Sequence, residues 1–381
     1  MAARLARLHL RQAPAGSRRM RTRPRARQVV IALVTASLGA MGLSCVKDTG
    51  NRETSVRTLP LEITARRVGG AAGGSMRWHC AELMRPAGEI TDASMLLHYL
   101  DFWLTYERRF RAANSQSTAL SSRLLAQPGS PQPALFYRGQ DGVLRSHYGT
   151  LRGGEAHVGQ ALAILGKLGF ASDTPLRTQE GSCTIREAIE GLEATFSLSR
   201  EPDWSIAALA LYLPPATGWR NRWGQRFTFS EAATTLLARP LGQGPCYGTH
   251  TLYVLSLLLD CHSRQGVLDA TVAAKTRRQL KAACAALEAA QNPDGGWGQS
   301  WAEAPGGRRA RELSPSSLHV TGHHLEWFAM CEPEDCPSQR CVERALAFCR
   351  QKVRTAVNTD VAQAVCDHEH ALLALALCEA D

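Results

Sequence analysis

Long apolar stretches that open with a polar aromatic side chain recur along this chain of 381 residues. Two examples are "HTLYVLSLLL" from His250 and "HALLALAL" from His370. A helix that is apolar on all sides must be buried, so these stretches predict inner helices. We therefore expect six inner helices, which start at His98, His157, Trp204, His250, His323 and His370.

The spacing of these starts indicates a repeated unit. Consecutive starts are separated by 59, 47, 46, 73 and 47 residues, and polar insertions occupy the two long intervals. About 47 residues suffice for two helices and two loops. The amphipathic stretches between the starts predict outer helices that cover the inner ones. They lie at 184–197, 277–291 and 339–353.

These patterns predict an all-α body that begins near residue 77. Strand-like alternation is scarce, and helical periodicity continues to the C-terminus. Six inner helices ringed by outer ones form an α/α toroid of about six helical hairpins, and an open α-solenoid is the alternative. We favour the closed ring because it brings the polar helix starts to one mouth. A small-molecule ligand or substrate would then bind in the toroid cavity.

A short motif after one outer helix resembles a known toroid superfamily. The segment "QNPDGGWGQSW", residues 291–301, fits Q-x-x-x-G-x-W through Gln291, Gly295 and Trp297. It resembles the QW repeat of the squalene cyclase-like proteins, which include the terpene cyclases and the protein prenyltransferases. The resemblance implies a structural role, in which the Gln side chain caps a helix end, stacks on the Trp and ties adjacent repeats together.

The catalytic motifs of that superfamily are mostly missing. No D-x-D-D motif of the hopene-type cyclases occurs in the chain. The zinc-binding D-x-C-Y pattern of the prenyltransferases is matched by Cys246 and Tyr247, but Gly244 replaces its Asp. The resemblance therefore implies architecture, not cyclase or prenyltransferase activity.

Three pairs of cysteine or histidine residues, spaced by four, accompany successive inner helices. Residues at i and i+4 lie on one helix face and can reach the same metal ion. Thiolate and imidazole are ligands that zinc prefers, so the pairs predict a bound transition metal, with zinc as the first candidate. The alternative is that they only pack and cap the helix starts. The pairs are Cys246 and His250, His319 and His323, and Cys366 and His370.

A second chemistry needs no metal. The segment "GHHLE", residues 322–326, resembles the G-H-x-x-E segment of the N-acylglucosamine 2-epimerase family, through Gly322, His323 and Glu326. In that family of α/α toroids, a histidine at an inner-helix start moves a proton at a sugar carbon. Glu326 follows His323 by three residues, close enough to orient its imidazole. The candidate catalytic residues are His250, His323, Glu326 and His370. The alternative function is a non-catalytic scaffold that binds a ligand or a protein.

The net charge of +10 comes from the N-terminus. The first 27 residues contain nine arginines and no acidic residue, which leaves +1 for the rest of the chain. A body with so little net charge has no basic face, so we exclude nucleic acid as a partner.

An apolar stretch at 29–43 follows these arginines and predicts export. It is shorter than the roughly 20 residues that span a membrane comfortably. We therefore interpret residues 1–45 as a basic targeting segment and the Gly-rich residues 46–76 as a linker. The protein is expected outside the cytoplasm. It is either released or tethered to the membrane through residues 29–45 or a lipid on Cys45.

Overall fold

The computed structural model describes residues 97–103, 105, 134–148, 155–215, 218–303, 316–356 and 361–378. All of them belong to one compact unit, residues 54–381. The predictions for 1–45, for 46–76 and for Cys45 lie outside the described residues, as does the side chain of Cys366. Within the described ranges, no helix has the length and apolar character needed to cross a membrane.

Helices make up most of the described chain, and the predicted outer helices at 184–197, 277–291 and 339–353 coincide with three of them. The helices are α1 (97–103), α2 (Gln160–Lys167), α3 (Ile185–Thr195), α4 (Asp203–Tyr212), α5 (Phe229–Leu237), α6 (Thr249–Gln265), α7 (Ala270–Ala290), α8 (Ser316–Phe328), α9 (Gln339–Ala356) and α10 (Val361–Cys378).

Two small β-sheets make the prediction of an all-α fold wrong, and with it the α/α toroid of about six hairpins and the α-solenoid alternative. The larger sheet has the strand order β2-β1-β3-β4, in which β1 and β3 are parallel and the outer pairs antiparallel. The smaller sheet pairs β5 with β6. The strands are β1 (Phe136–Arg138), β2 (Leu144–Ser146), β3 (Pro175–Thr178), β4 (Gly181–Thr184), β5 (Trp219–Arg220) and β6 (Arg226–Phe227).

These strands escaped the sequence prediction because they are only two to four residues long. Hydrophobic alternation cannot be recognised over so short a run. The available signal was turn chemistry, since each hairpin has a glycine with positive φ in or beside its turn. These glycines are Gly142 (φ 75°), Gly181 (φ 149°) and Gly224 (φ 80°).

Helices α2, α4, α6, α8 and α10 pack against one another in chain order. Helix α1 contacts both ends of this row. The ring centroid of its His98 lies 4.9 Å from that of His370 in α10, and its Nε2 lies 3.3 Å from the Nε2 of Gln160 in α2. Helices α8 and α10 lie close together at Gly322, where an added Cβ would lie 2.5 Å from the backbone nitrogen of Ala371. The polar residues of these helices therefore meet at a common centre.

The Q-x-x-x-G-x-W motif ties two neighbouring helices together, while the expected stacking of Gln291 on Trp297 stays a prediction. Gln291 follows α7, and its Nε2 donates to the carbonyl oxygens of Gly295 at 2.9 Å and of Cys341 at 2.8 Å. These bonds tie the end of α7 to the start of α9. Gly295 has φ 98°, and a Cβ there would lie 2.3 Å from the carbonyl oxygen of Arg344, so only glycine fits. The indole of Trp297 is fully buried beside this turn.

Candidate metal site

A chain of touching imidazole rings occupies the centre where the helices meet. Successive ring centroids along this chain lie 4.6, 5.0, 3.5 and 4.9 Å apart. A sixth ring touches two of the others, with centroid distances of 4.5 and 4.8 Å. The chain runs through His157, His250, His323, His370 and His98, and the sixth ring is His319, which contacts His323 and His370.

Several of these histidines do not mark helix starts as the sequence predicted. His319 and His323 both lie inside α8, and His370 lies near the middle of α10. His157 precedes α2. At α8 the prediction failed because the first turn contains Ser316, Ser317 and His319, so the apolar run begins only later in the helix.

Cys246 reaches the centre from a strained turn ahead of α6. Cys246 and Tyr247 have φ of 45° and 60°, and they are the only residues other than glycine with positive φ in the described ranges. The left-handed region costs such residues roughly 1–2 kcal/mol each. Two hydrogen bonds hold the turn: Thr249 Oγ1 donates to the Cys246 carbonyl at 2.7 Å, and Trp301 Nε1 donates to the Tyr247 carbonyl at 2.9 Å. Strain that is stabilised in this way clusters at functional sites.

The centre contains four overlapping groups of side chains whose ligand atoms lie within 4.8 Å of one another, close enough to hold a metal ion. Every predicted metal ligand with a described side chain belongs to at least one group. The groups combine residues from different helices, whereas the sequence paired residues four apart. They are His157, Cys246 and His250; Cys246, His319 and His323; His98, Glu369 and His370; and His323, Glu326 and His370.

The sequence prediction missed several members of this centre. His98 and His157 had been recognised as helix starts but not as ligands, although they share that pattern with His250. Glu369 directly precedes His370 in the sequence, and this position was the available signal that it could be a ligand. Glu201 lies in the loop before α4, and no local pattern connects it with the histidines. Its Oε1 is 2.5 Å from Nδ1 of His157.

The group of His157, Cys246 and His250 is largely satisfied without an ion. Trp204 Nε1 donates to Nδ1 of His250 at 3.2 Å. Neutral His250 therefore carries its proton on Nε2 and offers no lone pair there. Burial opposes the ionisation of Glu201, but its interactions with His157 and His250 outweigh burial and lower the pKa of Glu201 to about 2. The charged carboxylate of Glu201 therefore already pairs with an imidazole of this group.

Two further groups contain contacts too short for neighbouring metal ligands. Nδ1 of His98 lies 2.6 Å from Oε1 of Glu369, and Nδ1 of His370 lies 2.6 Å from Oε1 of Glu326. Ligand atoms around tetrahedral zinc are about 3.3 Å apart, given Zn–N distances near 2.0 Å. These two contacts are hydrogen bonds between imidazole and carboxylate.

The group of Cys246, His319 and His323 differs from the others. Nδ1 of His323 lies 3.6 Å from Oε2 of Glu326. This separation is longer than a hydrogen bond, but the nearby carboxylate favours the tautomer with the ring proton on Nδ1. Nε2 of His323 is then a lone pair, and it is buried with no hydrogen-bond partner among the described residues. His323 is only 3% exposed, so bulk water does not reach it. An unsatisfied buried polar atom costs about 1–3 kcal/mol, which a metal ion would offset.

Burial keeps these imidazoles in the neutral form that binds metals. It lowers the pKa of His250, and it lowers the pKa values of His323 and His370 well below the ordinary range. Burial also raises the pKa of the Cys246 thiol to about 12, and nearby carboxylates add to this effect. Cys246 is therefore no thiolate nucleophile by itself. A bound cation would deprotonate it.

Glu326 pairs more closely with His370 than with His323, contrary to the sequence prediction. Its Oε1 lies 2.6 Å from Nδ1 of His370, whereas its Oε2 lies 3.6 Å from Nδ1 of His323. The close approach of α8 and α10 brings His370 next to Glu326, for which the sequence predicted His323 as the partner. Glu326 therefore faces the Nδ1 atoms of two imidazoles and leaves their Nε2 atoms directed away from it. Carboxylates commonly orient metal-binding histidines in this way.

Comparison of the chain with models of known protein families, with curated proteins and with solved structures found no match. The resemblances to the squalene cyclase-like and epimerase families therefore stay predictions. The function has to be inferred from the site itself.

Proposed function

We propose that this protein is a metal-dependent enzyme that holds one zinc ion through Cys246, His319 and His323. The observation that carries this proposal is the buried Nε2 of His323, which has no hydrogen-bond partner among the described residues, on a histidine that lies in one group with a thiol and a second imidazole. Three protein ligands leave one tetrahedral position for water or substrate. Catalytic zinc sites have this arrangement, whereas structural ones use four protein ligands.

The ligand types and their supports favour zinc. Sulfur and imidazole nitrogen suit zinc, while magnesium and calcium prefer oxygen ligands. The strained turn fixes Cys246, and α8 carries His319 and His323 one turn apart. Ligands on such rigid supports need little rearrangement to bind an ion.

Neighbouring residues supply the proton chemistry. Zinc, when bound, polarises a substrate oxygen or lowers the pKa of water to about 7. The His370 ring lies 3.5 Å from the ring of His323, centroid to centroid. Glu326 orients it through Nδ1, and its Nε2 lies 3.3 Å from Oε1 of Glu369. His370 is therefore our candidate for general base, with Glu326 as its positioning residue.

Metal analysis of the purified full chain tests the zinc proposal. We expect about one zinc per chain, and cobalt substitution should give a thiolate-to-metal absorption band. Cys246→Ala should lose the band, and Cys246→Ala with His323→Ala should lose the ion. Cys261→Ala, which removes a buried thiol of α6 outside the four groups, is the matched control and should retain both. A folded wild-type protein that binds neither metal contradicts the proposal.

A second candidate function is proton transfer without a metal. The bond of 2.6 Å between Glu326 and His370 is the carboxylate–imidazole pairing that orients a general base. This bond favours His370 over His323 as the proton-transferring residue of an epimerase-like reaction. Deuterium incorporation from solvent into an amino sugar, retained in EDTA and absent in His370→Ala, would support this function over the zinc enzyme. Zinc binding without turnover of any substrate would instead favour the non-catalytic scaffold.

A further inference from the structure

A separate cavity of about 580 Å³ lies between the strands, α3 and the loop before α4. Its volume falls in the range of about 300–1,000 Å³ that is typical of small-molecule pockets. The described chain has two large hydrophobic side chains that are exposed, Tyr148 at 60% and Trp223 at 58%, and both line this cavity. Exposed aromatic side chains that border a concave surface indicate ligand binding.

The exposure of Trp223 is not the result of a loose turn. Asn221 is buried, and its Oδ1 accepts hydrogen bonds from the backbone nitrogens of Trp223 at 3.1 Å and Gln225 at 3.0 Å. Its Nδ2 donates to the carbonyl of Phe196 at 3.0 Å. The hairpin is thus fixed to the end of α3. It holds the indole at the cavity in a defined position.

An ion-pair network ties this hairpin to the one that carries Tyr148. Asp141, in the turn between β1 and β2, lies 2.6 Å from Arg145 and also pairs with Arg222. The hydrogen bond from Arg145, together with that from Arg222, holds the pKa of Asp141 well below its ordinary range, so it stays ionised. Arg222 directly precedes Trp223. The network therefore restrains the separation of the two aromatic side chains.

Guanidinium groups make one wall of the cavity positive. Arg145 and Arg222 share a single carboxylate, that of Asp141. Arg200 is exposed, and no carboxylate in the described ranges pairs with it. Hydroxyl groups from Ser197 and Ser199 lie on the same lining. Aromatic faces, hydroxyls and guanidinium groups together match a ligand that has a ring, hydroxyl groups and a negative charge.

We propose that this cavity binds a sugar that carries a carboxylate or a phosphate group. The sugar ring packs on Trp223 and Tyr148, and the anionic group binds Arg200 and Arg222. This site does not depend on the zinc proposal, because none of the proposed zinc ligands lines the cavity. Glu201 adjoins both sites, since it lines the cavity and contacts His157.

Titration calorimetry on the full chain in EDTA tests this proposal. The probes are D-glucuronate and D-glucose 6-phosphate, with D-glucose as the neutral counterpart and inorganic phosphate as the anion without a ring. We expect at least one anionic sugar to bind about tenfold more tightly than either control. Trp223→Ala and Arg200→Ala should each weaken binding about tenfold. Trp223→Phe should retain most of the affinity, and Arg278→Ala, at an exposed arginine of α7, should retain all of it.

Three results would overturn the anionic-sugar proposal: equal affinity for glucose, equal affinity for inorganic phosphate, or wild-type affinity in both Trp223→Ala and Arg200→Ala. Absence of saturable binding at millimolar probe would do the same. Cys246→Ala should bind the sugar normally. A protein that binds the sugar but no zinc would therefore contradict the proposed function alone.

Discussion

His323 and His324 are neighbours on α8, yet they lie in two different environments. His323 faces the thiol and the imidazoles of the central cluster. His324 is fully buried among aromatic rings, with centroid distances of 5.5 Å to Trp297 and 4.7 Å to Trp301. Adjacent helix positions point about 100° apart. One residue therefore faces the candidate site, and the next packs beside the Q-x-x-x-G-x-W turn.

Their polar neighbours favour opposite tautomers. Trp327 Nε1 donates to Nδ1 of His324 at 3.1 Å, so the proton of this imidazole lies on Nε2. Glu326 faces Nδ1 of His323 at 3.6 Å, which favours a proton on Nδ1 and a lone pair on Nε2. Both Nε2 atoms are buried without a hydrogen-bond partner among the described residues. The contrast shows that a buried unpaired imidazole nitrogen fits a metal only where its neighbours leave it a lone pair.

The largest expected effect is a difference in zinc affinity between a variant of His323 and a variant of His324. Structural zinc sites bind with about 10–16 kcal/mol, or about 2.5–4 kcal/mol for each of four ligands. His323→Ala should therefore weaken zinc binding at least about a hundredfold in competition with a chelating dye. His324→Phe, at the adjacent position, should keep wild-type affinity. Equal losses in the two variants would show that the effect is general destabilisation.

The second prediction concerns the free energy of unfolding, for which we expect His324 to matter more than His323. His324→Ala leaves a cavity among tryptophan rings and removes the acceptor for Trp327 Nε1. We expect a loss of about 2–3 kcal/mol in urea unfolding with EDTA present. His323→Ala should cost less under the same conditions, because no described side chain loses a hydrogen-bond partner with it. A larger loss for His323→Ala would mean that its Nε2 is satisfied without metal.

Sequence patterns were sufficient for elements whose periodicity extends over many residues. The amphipathic stretches at 277–291 and 339–353 are helical because their apolar faces repeat over several turns. Strands β5 and β6, with two residues each, contain no repeat to recognise. A polar first turn likewise hid the true start of α8. A local sequence pattern does not predict an element correctly where the element is short or where it begins with polar residues.

For the site, spacing identified the ligand types and two of the pairs, Cys246 with His250 and His319 with His323, but not the third residue of each group. Cys246, His319 and His323 stood out as members of pairs four residues apart, and the structure brings all three into one group. The bond between Glu326 and His370 joins residues 44 positions apart. Such contacts depend on the packing of α8 against α10, which no local pattern encodes.

A smaller effect concerns the carboxylate shared by His323 and His370. Glu326→Gln keeps the size of the side chain but removes its charge, so it orients the Nδ1 proton of His323 less strongly. Outer-shell changes of this kind typically cost about 10–100-fold in metal affinity. We expect a loss near the lower limit, about tenfold, because Nδ1 and Oε2 are 3.6 Å apart. Glu332→Gln, at an exposed glutamate just after α8, is the control and should bind zinc normally.

The smallest effect is absent at neutral pH and appears on acidification. Burial lowers the pKa of His324 to about 3, whereas an unfolded histidine titrates near pH 6.5. Between these values the unfolded chain binds a proton that the folded chain excludes. Stability should therefore fall as the pH drops below about 6.5, by about 1.4 kcal/mol per pH unit for this residue. His324→Phe should reduce the slope by one proton in urea unfolding between pH 7 and pH 5 with EDTA. His250, His323 and His370 contribute to both proteins and cancel in the difference. An unchanged slope would mean that His324 takes up a proton in the folded state, and that its aromatic surroundings do not exclude charge.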